Sequence, residues 1–245
     1  MSNFSRRKLI TTGLAATAGA SGLAVAARLA DRYGLIPPDC GGVYGPGNTL
    51  TFASHRLLTR QSLAREFSPD QISTAPFAKQ RPFKSEAYSR MRDNGFVDWR
   101  VDVEGMVARP TSFSLAELKS FPASSQITQL ACEEGWSFIA KWTGVALSHV
   151  LSLVETAPQA RYVVYHSIQP NWWHSIDMAD AVHPQTLLVY GMNGNDLPIG
   201  HGGPLRLRVP RQLGYKSVKF ITRLIVTDSL KRFNKGGSYS WYAGI

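Results

Sequence analysis

The rhythm of apolar and polar positions changes along this chain at about Val97. From there on, short segments read as strands. "DWRVDVEGMV" alternates Trp99, Val101 and Val103 with polar residues, the mark of a strand with one buried face. "SLAE" at 114–117 is a capping box, and it predicts a short helix that stops before Pro122. "SQITQLA" predicts a strand running into Cys132, "VALSHVLSLVE" a helix, and "RYVVYHSI" a strand with a largely apolar run. "TLLVYGMNGNDLP" predicts a strand and then a turn, with Asn193–Gly194 as the hairpin signal. "PLRLRVP" alternates strictly, and "SVKFITRLIVTD" predicts a long final strand. Many strands with few, short helices predict a mixed, mainly β, α+β domain over 97–245. There is no βαβ rhythm and no Gly-rich strand-to-helix turn, which argues against a dinucleotide-binding unit.

Upstream the texture is different. Residues 49–96 are expected to wrap the domain: "TLTFASHRLLTRQSLARE" predicts one or two helical turns, and residues 68–95, with Pro69, Pro76, Pro82 and Gly95, predict irregular chain. Residues 31–48 are a Pro/Gly-rich linker. Residues 1–30 begin with Ser5, Arg6, Arg7 and Lys8 and continue as a weakly apolar Ala/Gly-rich stretch with Arg28 inside. A charged start, a mild apolar middle and small residues before Ala30 predict a twin-arginine export signal, hence the twin-arginine machinery as a partner and the periplasm as the destination. An uncleaved membrane anchor is the alternative.

Charge and composition narrow the chemistry. Of the net +10, Arg6, Arg7, Lys8 and Arg28 supply +4, leaving about +6 on the remainder. That balance suits a bound anion or an acidic partner. No stripe of basic and aromatic residues marks a nucleic-acid face. The chain has two cysteines, Cys40 in the linker and Cys132; an exported protein could pair them, but nothing in the pattern implies it. There is no G-x-S-x-G or H-E-x-x-H motif. His166, His174 and His183 are too widely spaced to predict a shared zinc.

Cys132 lies in "ITQLACEEGWSFIAKW", where two acids, a glycine and a tryptophan follow it. Carboxylates at Glu133 and Glu134 raise a thiol pKa and disfavour a bare thiolate nucleophile. A coordinated cysteine is deprotonated by its metal, so the acids are no obstacle there. One cysteine cannot hold a metal alone, and His201, Arg206, Lys216 and Lys219 are cations suited to an anionic group of an organic cofactor.

These segments resemble the sulfite oxidase superfamily of molybdopterin enzymes over about residues 97–228, and within it the periplasmic methionine-sulfoxide reductase catalytic subunit. "ACEEGW" resembles that subunit's C-x-E-x-W stretch, and "HGGPLRLRVPRQLGYKSVKFI" a long family segment. The resemblance implies a molybdenum-molybdopterin cofactor, Cys132 as metal ligand, and Glu134 as the acid beside the metal. It implies His201, Arg206, Ser217, Val218 and Lys219 as contacts to the pterin and its phosphate, and Ser167 as a further pterin contact. "ASHRLLTR" sits where relatives grip the pterin, which adds His55 and Arg56.

Two features depart from the reductase. "LLVYGMNG" resembles the sulfite oxidase segment whose tyrosine faces the metal, which adds Tyr190 to the catalytic candidates. The sequence runs to Ile245, short of the dimerisation domain of animal and plant sulfite oxidases, so a single-domain monomer is expected. No C-x-x-C-H haem motif is present, so electrons are expected to pass to or from a separate cytochrome or membrane haem protein. The substrate class stays open between small S-oxides or protein methionine sulfoxide and sulfite. An ionised Glu134 would repel a sulfite dianion by about 4 kcal/mol at ~4 Å and an effective dielectric of ~20, which favours the neutral S-oxide. A non-catalytic descendant keeping the fold, and an enzyme using Cys132 directly as a thiol, are the rival readings.

Overall fold

A computed structural model describes residues 24–38 except 26 and 32, then 46–79, 85–233, 236 and 241–245. The twin-arginine block, Cys40 and Pro82 lie outside the described residues. Contacts divide the chain into two units, residues 1–37 with 43–60, and residues 38–42 with 61–245. In the first unit, helix α1 (Pro46–Leu58) extends the helical turns expected over 49–66 and reaches back into the stretch expected as linker. None of the helices among the described residues is long and apolar enough to cross a membrane.

The second unit holds two sheets. One has the order β2 (Thr111–Ser114), β1 (Arg100–Gly105), β10 (Ile221–Thr227), β5 (Tyr162–Ser167), β6 (Trp173–Asp177). In it β1 and β10 are parallel, and the other pairs antiparallel. The other sheet has the order β3 (Ala123–Ala131), β4 (Ser137–Ala146), β7 (Leu187–Met192), β8 (Asn195–Asp196), with β9 (Arg206–Arg208) also on β7. All its pairings are antiparallel. With helices of eight residues or fewer between strands, this is the mixed, mainly β, α+β architecture the apolar rhythm predicts.

Local rules explain several elements. Ser114 and Glu117 close the capping box that opens α3 (Leu115–Ser120). Asn193 and Gly194 both take positive φ, 53° and 86°, as a type I′ hairpin between β7 and β8 requires. Other elements differ from expectation. Helix α2 (Glu86–Asp93) lies where irregular chain was expected, with Ser85 capping its N-terminus through the Tyr88 amide. Tyr88 pins it to the core by donating to the Gly203 carbonyl at 2.8 Å and by its ring contacts with Phe96, Trp99 and Phe220. In "VALSHVLSLVE" the helix α4 covers only Leu147–Leu153, since Val145 and Ala146 complete β4. The final strand starts only at Ile221, because Phe220 at φ 54° breaks the extended run. In "PLRLRVP" the alternation of residue type is not an alternation of burial: β9 is buried on both faces, arginines included.

Residues 66–73 lie along β3 and β4. The Phe67 amide donates to the Ile127 carbonyl, Glu66 bridges to Thr128, and Ser73 exchanges two bonds with Ile139, so the segment follows the outer course of β3 and β4.

Candidate active site

Strands β3 and β4 meet in a hairpin whose tip is Cys132 to Trp136. The Cys132 amide donates to the Trp136 carbonyl at 2.9 Å, and the Gly135 amide to the Cys132 carbonyl at 3.1 Å. Gly135 serves the backbone alone: its φ is 89°, and a Cβ there would meet nothing within 4 Å. Gly135→Ala is expected to cost about 1–2 kcal/mol in chemical denaturation, from φ alone.

The hairpin tip opens on a cavity of ≈ 730 Å³ within the second unit, a size ordinary for cofactor and substrate sites. It is lined by Cys132, Glu134, His201, Arg206, Ser217, Val218 and Lys219, which sequence reasoning put together, and by residues it missed, among them Phe77, Lys79, Tyr88, Gln169, Trp172 and Tyr215. Ser167, Tyr190 and Lys216 of the same unit do not line it; the buried Lys216 ammonium donates to the Ser175 carbonyl at 2.8 Å. Ser167 is buried at the end of β5, its hydroxyl accepting from the Gln169 amide. Tyr190 packs against the core with the Lys119 ammonium over its ring at 5.9 Å. His55 and Arg56 belong to α1 in the first unit. Among the described residues no three His, Cys, Asp or Glu side chains converge to hold an ion, His166, His174 and His183 included.

The cationic end is built by β9 and the strand-like stretch antiparallel to it. Arg206 donates to the carbonyls of His201 (2.9 Å) and Ser217 (2.6 Å), and it lies 5.3 Å from the Trp142 ring, with Arg208 at 5.4 Å. No ion pair involves Arg206 or Lys219 among the described residues, and Arg206 Nε is buried without a hydrogen-bond partner. Burial pushes Arg206 down to about 9. Burial, with help from Arg206, pushes Lys219 down to about 7. His201 falls to about 4 through burial, then Arg206 and Lys219, while a bond to the Pro76 carbonyl opposes the fall.

The turn before β9 makes this packing close. Gly202 has φ 103°, and a Cβ on it would lie 2.7 Å from Lys219 Cβ; a Cβ on Gly203 would lie 2.1 Å from the Leu197 carbonyl oxygen. Gly203→Ala is therefore expected to destabilise by about 1–3 kcal/mol in chemical denaturation, because backbone must move.

At the other end Cys132 is half-buried rather than enclosed. Its Sγ lies 3.2 Å from Glu133 Oε2 and 4.0 Å from Glu134 Oε2. Desolvation first, then the neighbouring carboxylates, push the thiol up to about 11, so an uncoordinated Cys132 stays protonated at neutral pH. Glu134 is not a bare anion: Lys79 forms an ion pair with it and Trp136 Nε1 donates to it at 3.0 Å. The repulsion of sulfite expected from an unpaired Glu134 is thereby offset. Trp136 stacks on Phe138, and Phe77 lies against it with ring centroids 4.9 Å apart.

A cysteine sulfur and buried cations lining one cavity fit an anionic, metal-bearing group. Fold and site together define a molybdopterin-binding oxidoreductase, and the chain belongs to that family: residues 89–233 match the oxidoreductase molybdopterin binding domain of the sulfite oxidase superfamily. Cys132, with Arg206 and Lys219 lining the same cavity, would hold the molybdopterin. Among relatives, a protein of Azospira oryzae provisionally named protein-methionine-sulfoxide reductase subunit YedZ1 is 37% identical over 186 residues, 73% of this chain and 70% of that protein. The protein-methionine-sulfoxide reductase catalytic subunit MsrP of Xanthomonas campestris is 38% identical over 147 residues, 54% of this chain; the chain spans only 46% of that relative. Of solved structures, the sulfane dehydrogenase SoxCD of Paracoccus pantotrophus shares the fold, with a TM-score of 0.52 at 24% identity over 54% of this chain and 39% of that one.

Proposed function

We propose that this oxidoreductase acts in the periplasm, after twin-arginine export, and reduces S-oxides, with methionine sulfoxide as the substrate class. The observation that carries the reading is the wall around Cys132. Phe77, Trp136 and Ile199 make it apolar, Glu133 and Glu134 make it acidic, and the ammonium of Lys79 is already ion-paired with Glu134. Such a wall suits a neutral S-oxide. The names of the Azospira and Xanthomonas relatives support the same substrate class.

The bound cofactor supplies the two-electron oxygen-atom transfer, and the protein positions and tunes it. Cys132 presents its sulfur at the hairpin tip as the protein ligand. Arg206 and Lys219 neutralise the cofactor's phosphate, while neutral His201 can donate or accept without adding charge. Glu134, oriented by Trp136 and ion-paired with Lys79, is the carboxylate that can relay a proton beside the sulfur. Reduction of an S-oxide to a thioether and water consumes two electrons and two protons. The electrons come one at a time from a separate cytochrome or membrane haem protein.

The test is a substrate panel on loaded enzyme with artificial electron donors and acceptors. Turnover of methionine sulfoxide with a reduced dye, exceeding sulfite oxidation, is expected. Efficient sulfite oxidation without S-oxide turnover overturns the reading. In the same assay Glu134→Gln, which leaves the Lys79 ammonium unpaired, is expected to raise the ratio of sulfite oxidation to S-oxide reduction about 2–5-fold, the scale of one partly exposed charge interaction.

A further inference from the structure

Residues 76–79 form a strap at the edge of the cavity, fastened at Lys79 to two of its polar side chains. The Lys79 carbonyl accepts from Lys219 Nζ at 2.6 Å, and the Lys79 ammonium pairs with Glu134. Phe77 lies two residues before this anchor. Its ring lies against Trp136, tilted by 57°, yet stays 52% exposed and lines the same cavity as Cys132. Ile199 lines that cavity too and is 44% exposed. The remaining aromatics of this wall are covered: Phe138 is buried behind Trp136. A half-exposed phenylalanine, held by the Lys79 anchor and the Trp136 ring and lining the same cavity as Cys132, is an apolar contact for a ligand.

Resting on the functional reading above, we infer that Phe77 determines specificity: its ring receives the carbon arm attached to the substrate sulfur, with Ile199 lining the same cavity. The favoured substrates are then S-oxides with an extended apolar arm, such as the methionine sulfoxide side chain carried on a peptide, over small S-oxides such as dimethyl sulfoxide. Negative charge on the arm is disfavoured beside Glu133 and Glu134, since the Lys79 ammonium is occupied by Glu134.

The experiment compares holoenzymes of the full chain on N-acetyl-methionine-sulfoxide amide and on dimethyl sulfoxide, with a reduced viologen dye as donor and molybdenum content measured for each sample. In Phe77→Ala the kcat/KM ratio of the first substrate to the second is expected to fall about 10-fold, the scale of one lost apolar contact in a pocket. The change should sit in KM, because the contact is the same before and during reaction. Phe77→Leu should keep the ratio within about threefold. If Phe77→Ala loses molybdenum, Ile199→Ala reads the same ratio, with a fall expected. A ratio that stays constant in molybdenum-loaded variants, or that falls through kcat, overturns the inference and leaves the functional reading standing. Absence of any S-oxide turnover by the unaltered enzyme overturns that reading and the inference with it.

Discussion

Cys132→Ser is expected to fold normally but lose the metal–thiolate absorption band and all turnover together. Cys132 sits at a half-exposed hairpin tip, held by backbone bonds that do not involve its side chain, so an oxygen in place of sulfur disturbs no packing. In the proposed function the soft Cys132 thiolate is the chain's own ligand to the metal, and a hydroxyl would be a far poorer one. Visible absorption, molybdenum content and assay on one preparation check this. A serine variant that keeps its absorption band and turnover removes Cys132 from the metal. A variant that loses turnover while the unaltered protein's Cys132 alkylates as readily loaded as apo points to thiol chemistry instead, because coordination should protect the sulfur.

The second large effect is expected at Arg206. Its guanidinium is fully buried, donates to two carbonyls, and has no carboxylate partner among the described residues. Arg206→Met should weaken cofactor retention by about 2–5 kcal/mol, the cost of removing one partner from a buried charge pair. The same change should affect the melting temperature of the cofactor-free protein far less, since it removes a buried charge that only the cofactor compensates. Arg206→Lys should fall between, keeping the charge but not the fork of donors. Molybdenum per protein and apo melting temperature measure the two effects. Equal loss of both would make Arg206 a folding residue rather than a cofactor contact.

Lys219 gives the third expectation, in pH. Its folded pKa of about 7 lies below the ordinary lysine value near 10.5. Between those values the unfolded apo chain binds the proton and the folded one does not, so this lysine's penalty is fully present below about pH 7 and lifts as pH rises toward 10.5. Cys132 and Tyr88, pushed up to about 11 and about 12, act in the opposite direction above their ordinary values, so the total profile mixes signs. The difference between apo protein and Lys219→Met isolates the lysine. The variant's relative advantage should be largest below pH 7 and vanish near pH 10. With cofactor bound, the anion should restore the lysine's charge and reverse the sign of that advantage.

The legible part of the fold was the part whose rules are local. Ser114–Glu117, Asn193–Gly194 and the alternation in β1 each carry their geometry in a few residues. Helix α2 was illegible because flanking prolines suggested irregular chain, while its stability comes from Tyr88 reaching Gly203 across the fold. In "PLRLRVP" the alternation of residue type carries no alternation of burial, because both arginines are buried beside Trp142. The site divides in the same way. Cys132, Glu134, His201, Arg206 and Lys219 stood out by chemistry and by resemblance, and one cavity gathers them. Phe77 and Lys79 had no signal, since a strap residue acquires its role only by lying against another element. Tyr190 had a signal from its neighbours in sequence, yet the strand turns its ring toward Lys119.

The most direct test of the account is the molybdenum and pterin content of the unaltered protein purified from a host that makes the cofactor. About one molybdenum and one pterin per chain are predicted, both lost in Cys132→Ser or Arg206→Met in proportion to their lost activity. Folded, intact protein free of molybdenum and pterin would contradict it.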